Sequence, residues 1–263
     1  MQIPTFATII TAAGKSERFS SQGVKKEYLS IDGQTVLQRA TAPFLSVPNC
    51  QLVIVTCPKG EENECGVALG DLYEHQSVPV ILCDGGESRK ESVRNALTLL
   101  KHLGVPVQYV AIHDGARCFI TTDLIIQTLA TATMYGGAAP ALPVTDSLKT
   151  ITDDGVITAS IPRHGTVAVQ TPQIFRWPDI YLAHQAVADD GKTYTDDTEI
   201  WVAAGKEAGV CPGDRKNRKI TYMEEIPDAQ QQIDAYLAAR KEGERLEKAD
   251  KALRTAIQEA KQS

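Results

Sequence analysis

"IITAAGKSERF", residues 9–19, continues an apolar run from Thr5, and its Gly14-Lys15-Ser16 has the ending of an ATP-binding P-loop. A P-loop also needs an earlier glycine, five positions before the last, where the backbone curls round a phosphate. Ile9 occupies that position. A β-branched residue suits a strand and resists the positive φ of a tight phosphate nest. The P-loop reading is therefore set aside. What remains is a strand over 5–11, small residues Ala12-Ala13-Gly14, and a polar loop carrying Arg18, Lys25 and Lys26. Small residues beyond a strand end let a ligand lie against backbone N–H groups, and nearby cations suit phosphates. The same pattern also describes an ordinary turn with solvated charges, so this stretch leaves both readings open.

Working outward, apolar β-rich runs at 51–57, 78–83, 107–113 and 138–144 alternate with helical spacing at 35–45, 88–103 and 121–135. Thr and Asp in the first turn of the third segment form a helix start signal. Such alternation predicts an α/β fold, a mostly parallel sheet with helices on both faces. Ligands of such sheets bind beyond the C-terminal strand ends. The alternation stops after residue 145. Two β-prone runs about Asp153-Asp154-Gly155 within 146–163 read as a projecting hairpin. A lone hairpin is marginal in water, so a second subunit is expected to cover it. Segments 178–190 and 196–208 return to helix, AGVCPG and RKITYM read as short strands, and 226–263 as a long polar helix. Its sparse apolar positions are Ile233, Tyr236, Leu237, Leu246, Leu253 and Ile257. The simplest division is a domain over 1–228, with an arm at about 146–170, and a helical extension over 229–263.

The 263 residues are 43% hydrophobic and 23% charged, ordinary for a globular chain, and the formal net charge is −6. That balance argues against a general nucleic-acid or membrane-surface binder and leaves room for a local cationic pocket. Six scattered cysteines without a C-x-x-C pair fit reduced thiols better than a disulfide framework or zinc site. Neither a signal peptide nor a membrane-length apolar stretch is evident, so the expected compartment is the cytoplasm.

Besides the first loop, three strand-end clusters could carry chemistry. DGGESRKESV (84–93) places two glycines, then Ser88, Arg89 and Ser92, at a helix start, where backbone N–H groups bind phosphates or base edges. A turn capped by Ser88 is the plain alternative. HDGARC (113–118) puts Asp114 at a strand end, able to hold a divalent metal on a triphosphate, beside Arg117 for a further anion. A turn-stabilising Asp–Arg pair is the alternative there. DRKNRKIT (214–221) is a charge run, ordinarily a solvated face. Asp114 with Arg18, Lys26, Arg117 and Lys219 in one site would suit phosphoryl or nucleotidyl transfer, which needs in-line positioning and positive charge. No G-x-S-x-G elbow competes. His75, His102 and His184 read as surface or helix residues, and His113 as a packed strand residue.

In the order TAAGKSERF…KKEYLSIDGQTVLQRA, DGGESRKESV, HDGARCFIT, PVTDSLK, TPQIF, TDDTEIW and NRKIT, the chain resembles 2-C-methyl-D-erythritol 4-phosphate cytidylyltransferases over roughly residues 5–228. The resemblance implies a Rossmann-like sheet and transfer of CMP from CTP to a polyol phosphate with Mg²⁺, releasing pyrophosphate. It implies that Arg18 and Lys26 stabilise the α-phosphate and departing pyrophosphate. Ala12, Ala13, Gly14, Gly86, Glu87 and Ser92 would read cytosine and ribose, with Ala116 nearby. Asp114 would meet metal and substrate, and Arg117, Thr195 and Lys219 would grip the polyol phosphate. The hairpin would be the arm of a homodimer, sending Arg163 and Thr171 into the neighbour's site.

The sequence departs from the family pattern in places. Lys15-Ser16-Glu17 replaces the second glycine of Gly-x-Gly-x-Arg, and Lys25 stands where proline is usual. Lys26 is taken as the catalytic lysine over Lys25, because Glu27-Tyr28-Leu29 aligns with the family's Gln-Tyr-Leu. Gly115-Ala116-Arg117-Cys118 replaces Ala-Ala-Arg-Pro, and Lys216 stands where the family has Asp, with Asp214 displaced. A ribitol 5-phosphate enzyme is the nearest alternative reading.

Overall fold

Side chains alternate across the first strand, β1 (Phe6–Thr11), and both of its faces are apolar, which decides the layering. Phe6 and Ile10 join one core cluster, and Ala7 and Ile9 join another on the opposite face. A strand buried on both sides must lie inside a sheet with helices above and below. The computed structural model describes residues 2–16, 19, 23–74 and 77–260, without the side chains at 74, 244, 246, 247 and 249–260. Arg18, His75 and the side chains of Leu246, Leu253 and Ile257 lie outside the described residues.

After β1 come β2 (Ser30–Ile31), β3 (Gln34–Thr35), α1 (Val36–Leu45), β4 (Cys50–Cys57), α2 (Glu62–Leu69), α3 (Asp71–Glu74) and β5 (Val80–Asp84). Next are α4 (Arg89–Leu103), β6 (Tyr109–Asp114), α5 (Thr122–Tyr135) and β7 (Gly137–Pro143). The remainder comprises β8 (Lys149–Ile151), β9 (Ile157–Ser160), β10 (Val167–Val169), β11 (Gln173–Arg176), α6 (Asp179–Ala186), α7 (Asp197–Ala203), β12 (Gly209–Pro212) and α8 (Ala229–Ala260).

The main sheet runs β10-β7-β11-β6-β1-β4-β5, with β12 added on β7. β6, β1, β4 and β5 are parallel neighbours, and β12 is parallel to β7. One face is covered by α1, α2 and α5 through Leu37, Phe44, Leu69, Ile125 and Leu129. The other packs on α4, α6 and α7 through Val93, Leu97, Leu100, Ile180 and Trp201. Fully burying a Leu, Ile or Phe stabilises by about 1.5–3 kcal/mol each, so these two layers hold the sheet together. Helix ends follow their local signals: Ser88 caps α4, and Gly104 closes it at φ +64, where a Cβ is disfavoured.

Two short elements differ from the sequence expectation. β11, a four-residue strand, enters antiparallel between β6 and β7. RKITYM forms no strand. Ile220 N–H donates to Ala116 O at 2.8 Å, and Thr221 and Tyr222 N–H donate to the Glu225 carboxylate at 2.6 and 2.9 Å. With three consecutive donors taken by a loop carbonyl and a side chain, the middle of the segment has none left for a ladder. Met223–Glu225 is a 3₁₀ turn instead.

The hairpin β8–β9 is antiparallel, turned by Gly155 at φ +81, and every residue of both strands is exposed. At the other end of the chain, Ile233, Tyr236 and Leu237 pack α8 against Phe19, Leu29 and Ile220. Among the described residues no helix is long and apolar enough to cross a membrane.

Candidate active site

Parallel register brings four strand ends level. Thr11 pairs with Asp114 on one side and Thr56 on the other, and Cys57 pairs with Asp84. The loops that follow are tied together directly. Gly115 N–H donates to Thr11 O at 2.9 Å, Ala12 N–H to Thr56 O at 3.1 Å, and Gly85 N–H to Cys57 O at 2.7 Å. A Cβ on Gly85 would stand 2.2 Å from the Ala13 methyl, so this approach requires glycine. Between the loops opens a cleft of about 930 Å³, bordered by Ala13, Gly14, Lys26, Gly86, Glu87, Arg89, Ser92, Asp114, Ala116 and Lys219.

Asp114 is the electrostatic centre of the cleft. Its Oδ2 lies 3.0 Å from Lys219 Nζ and 3.5 Å from Arg117 Nε, and its Oδ1 lies 3.4 Å from Arg89 Nε. Burial alone would raise its pKa, but Lys219, Arg89 and Arg117 outweigh it and hold the carboxyl well below the usual range. The carboxylate is charged throughout the physiological range.

Beneath it lies a closed hydrogen-bond chain. Arg117 O can only accept, so His113 Nε2–H, at 3.1 Å, donates to it. Burial pushes the His113 imidazole down to about 4, so its Nδ1 is an acceptor. Thr171 Oγ1–H donates to that Nδ1 at 2.9 Å and accepts Asp114 N–H at 3.1 Å. His113 is thus a packed, hydrogen-bonded strand residue, also in ring contact with Phe44.

The strand-end loops are shaped by their own side chains. Ser92 Oγ accepts Gly86 N–H at 2.9 Å, and Glu91 accepts Glu87 N–H at 2.9 Å. Ser88 caps α4 as its position implied, so the capped turn and the cleft wall are one structure. Lys26 borders the cleft, whereas Lys25 Nζ donates to the Gly14 carbonyl beneath the loop. Burial lowers the Lys25 pKa, opposed by Glu27 and Glu61.

Several expected site residues do not border the cleft of their own chain. Ala12 is buried and its N–H belongs to the β4 contact, so it does not border the cleft. Arg117 stands behind Asp114, its Nη1 donating to Asn217 O at 2.8 Å. Thr195 is exposed at the foot of α7, bonded to Glu199 through its N–H and hydroxyl. Arg163 is exposed on the arm, donating to Thr145 O at 3.1 Å. Thr171 does not reach toward a neighbour. It begins the segment that β11 draws into the sheet beside β6, so its hydroxyl serves Asp114 and His113 of its own chain. Lys216 is exposed, its N–H held by Asp214 Oδ1 at 2.8 Å, and neither residue borders the cleft.

Two contributors to the site carry almost no signal in the sequence, and a third, Arg89, is visible there at the helix start of DGGESRKESV but without a role of its own. Asn217 is fully buried and donates to Thr171 O at 2.8 Å, which explains a lone amide among the cations of DRKNRKIT. Asp197, also fully buried, pairs with Arg89 Nη1 at 2.7 Å. Its only signal was the doubled acid of TDDTEIW.

A doubly wound sheet whose strand-end loops enclose a cleft with Lys26, Arg89 and Lys219 on its walls is an arrangement suited to nucleotidyl transfer. The matching family is IspD, 2-C-methyl-D-erythritol 4-phosphate cytidylyltransferase, over residues 6–235, and the chain belongs to it. The bifunctional enzyme IspD/IspF of Paracoccus denitrificans is 40% identical over 226 residues, 84% of this chain and 54% of that protein. A 2-C-methyl-D-erythritol 4-phosphate cytidylyltransferase of Caldanaerobacter subterraneus is 33% identical over 221 residues, 84% of this chain and 95% of that protein. The crystal structure of a 4-diphosphocytidyl-2C-methyl-D-erythritol synthase from Anaerococcus prevotii has the same fold, at TM-score 0.72 and 25% identity, covering 89% of this chain and 96% of that one. The chain spans a little over half the length of the bifunctional relatives it matches.

Proposed function

We propose that the chain transfers CMP from CTP to the phosphate of 2-C-methyl-D-erythritol 4-phosphate and releases pyrophosphate. The observation that carries this is the convergence of Lys26, Asp114 and Lys219 on one cleft at the ends of β1, β4, β5 and β6. An oxygen of the polyol phosphate attacks the α-phosphorus of CTP, and the bond to the β-phosphate oxygen breaks in line. Such a reaction asks the protein for positioning and positive charge rather than covalent chemistry. Lys26, with Arg18, takes the charge that develops on the α-phosphate and the departing pyrophosphate. Lys219, held in place by Asp114, receives the incoming phosphate, and Arg117 supports Asp114 from behind. Ala13, Gly14, Gly86, Glu87 and Ser92 enclose the cytosine and ribose, with Ala12 and Ala116 supporting the loops. Fixed main-chain groups there would reject uracil, which reverses donor and acceptor at ring positions 3 and 4.

Among the described residues no group of three or more His, Cys, Asp or Glu side chains could hold a metal ion. Asp114 is the single carboxylate at the centre of the cleft and already faces three cations. This donor set fits a divalent ion carried on the nucleotide's own phosphate oxygens and met by one carboxylate, the usual habit of Mg²⁺. When bound, the ion would neutralise phosphate charge and polarise the α-phosphoryl group.

The arm leaves Ile151, Val156 and Ile157 exposed, which supports a second copy of the chain covering it and Arg163 reaching that copy's cleft. Six unpaired thiols are in keeping with work in the cytoplasm. On this reading the nucleotidyltransferase domain ends near residue 228 and α8 is an extension packed on it.

Pyrophosphate release is the test, measured with CTP, Mg²⁺ and either 2-C-methyl-D-erythritol 4-phosphate or ribitol 5-phosphate. Turnover of the methylerythritol phosphate is expected. Turnover of ribitol 5-phosphate alone would overturn the assignment.

A further inference from the structure

We propose that Asp197 is a positioning residue for the acceptor side of the cleft, acting on Asp114 through Arg89. The proposal rests on the cytidylyl-transfer reading above and deepens it. Arg89 opens α4, and its guanidinium stands between two buried carboxylates. Nη1 lies 2.7 Å from Asp197 Oδ2, and Nε lies 3.4 Å from Asp114 Oδ1. The remaining nitrogen, Nη2, is buried with no acceptor among the described residues, so these carboxylates are what orient the group.

Asp197 is fully buried and does not border the cleft, so it acts only through what it holds. It is itself tightly placed. Its N–H donates to Gln173 Oε1 at 2.8 Å, and its Oδ1 lies 3.1 Å from His184 Nε2. Gln173 belongs to β11, two residues beyond the Thr171 hydroxyl that takes Asp114 N–H. One short segment, Thr171 to Gln173, therefore anchors the backbone N–H of both aspartates, and one guanidinium spans their carboxylates.

The unequal distances carry the inference. Asp197 neutralises Arg89 at close range, so Arg89 leans on Asp114 only loosely. That leaves Asp114 Oδ2 for Lys219 at 3.0 Å. Without the Asp197 charge, Arg89 would turn onto Asp114 as a closer partner and compete with Lys219 for it. Lys219 would then lose its fixed place beside the incoming phosphate, while the loops that enclose the nucleotide stay as they are. The role needs a planar fork with two separated edges, which lysine cannot supply.

A double-mutant cycle tests this. Wild type, Asp197→Asn, Arg89→Gln and the double variant are assayed for KM and kcat with 2-C-methyl-D-erythritol 4-phosphate, and for CTP Kd by calorimetry. Asp197→Asn is expected to raise the polyol phosphate KM on the order of tenfold while CTP Kd stays within about twofold, and its effect to vanish in the Arg89→Gln background. Additive effects, or an unchanged KM in Asp197→Asn, would overturn the role. If Asp197→Asn does not fold, Arg89→Lys takes its place: it keeps the charge, loses the fork and should reproduce the KM rise, and a wild-type KM there would overturn the role as well. A wild-type enzyme that releases no pyrophosphate from these substrates would instead strike the functional reading itself.

Discussion

The Asp114 cleft and the 149–160 arm belong to one chain but close their interactions in opposite ways. Around Asp114 the carboxylate, guanidinium and imidazole groups find partners within the chain. Residues separated by as many as 105 positions meet at 3.0 Å. In the arm, β8 and β9 pair with each other, yet Ile151, Val156 and Ile157 are each at least 60% exposed. The polar groups of the cleft are therefore paired on folding, whereas the arm leaves its apolar side chains open to solvent. Variants should divide along the same line: those in the cleft change acid stability or turnover, and those in the arm change binding between copies or, at Arg163, capture of the polyol phosphate.

The largest effect is expected from acid. Burial lowers the His113 pKa from 6.5 to about 4, so the unfolded chain takes up this proton more readily than the folded one. Stability is full above the unfolded value and falls as pH drops through the folded one, by roughly 3 kcal/mol in total. Denaturant midpoints measured from pH 7 to 4 should decline, and His113→Gln should flatten that decline. An equally steep decline in the variant would place the acid sensitivity elsewhere. Asp114 and Asp197, whose pKa values are depressed, add their own loss only at lower pH.

Next in size, Lys26→Ala should lower kcat by about 10²-fold, the scale of one lost transition-state charge contact. Steady-state pyrophosphate release reads this directly, and near-normal turnover would move the role to another cation. For Arg163→Ala, a loss of ~1.5 kcal/mol or more corresponds to about a tenfold rise in the polyol phosphate KM with CTP Kd unchanged. An unaltered KM would remove the arm from the site. The smallest change is set for Ile157→Asp, which should weaken self-association severalfold by placing a charge on the exposed strand face. Sedimentation at graded concentrations would show it, and a wild-type profile would mean that the face stays in water.

Much of this was legible in the chain, and unevenly so. Continuous apolar runs announced strands buried on both faces, and capping residues marked α4 and α5 where they occur. The convergence of the glycine loops and Asp114 followed from parallel register. β11 escaped because four residues carry no sign of strand direction, and a sheet places such a strand by its neighbours. RKITYM failed as a strand because Glu225, just beyond it, takes the backbone donors that a ladder would need.

Local chemistry was enough to dictate where the long strands, the helices and their caps lie, because apolar periodicity and N-cap side chains act within a few residues of themselves. It also dictated that cations and one acid would gather at the strand ends. Which polar groups touch could be settled only once the sheet had formed. The Asp197–Arg89–Asp114 bridge, the Asn217 tie and the inward turn of Thr171 join segments 25 to 108 residues apart. Burial removes water as a competing partner, and a buried charge must then take whichever counter-charge the fold has placed beside it.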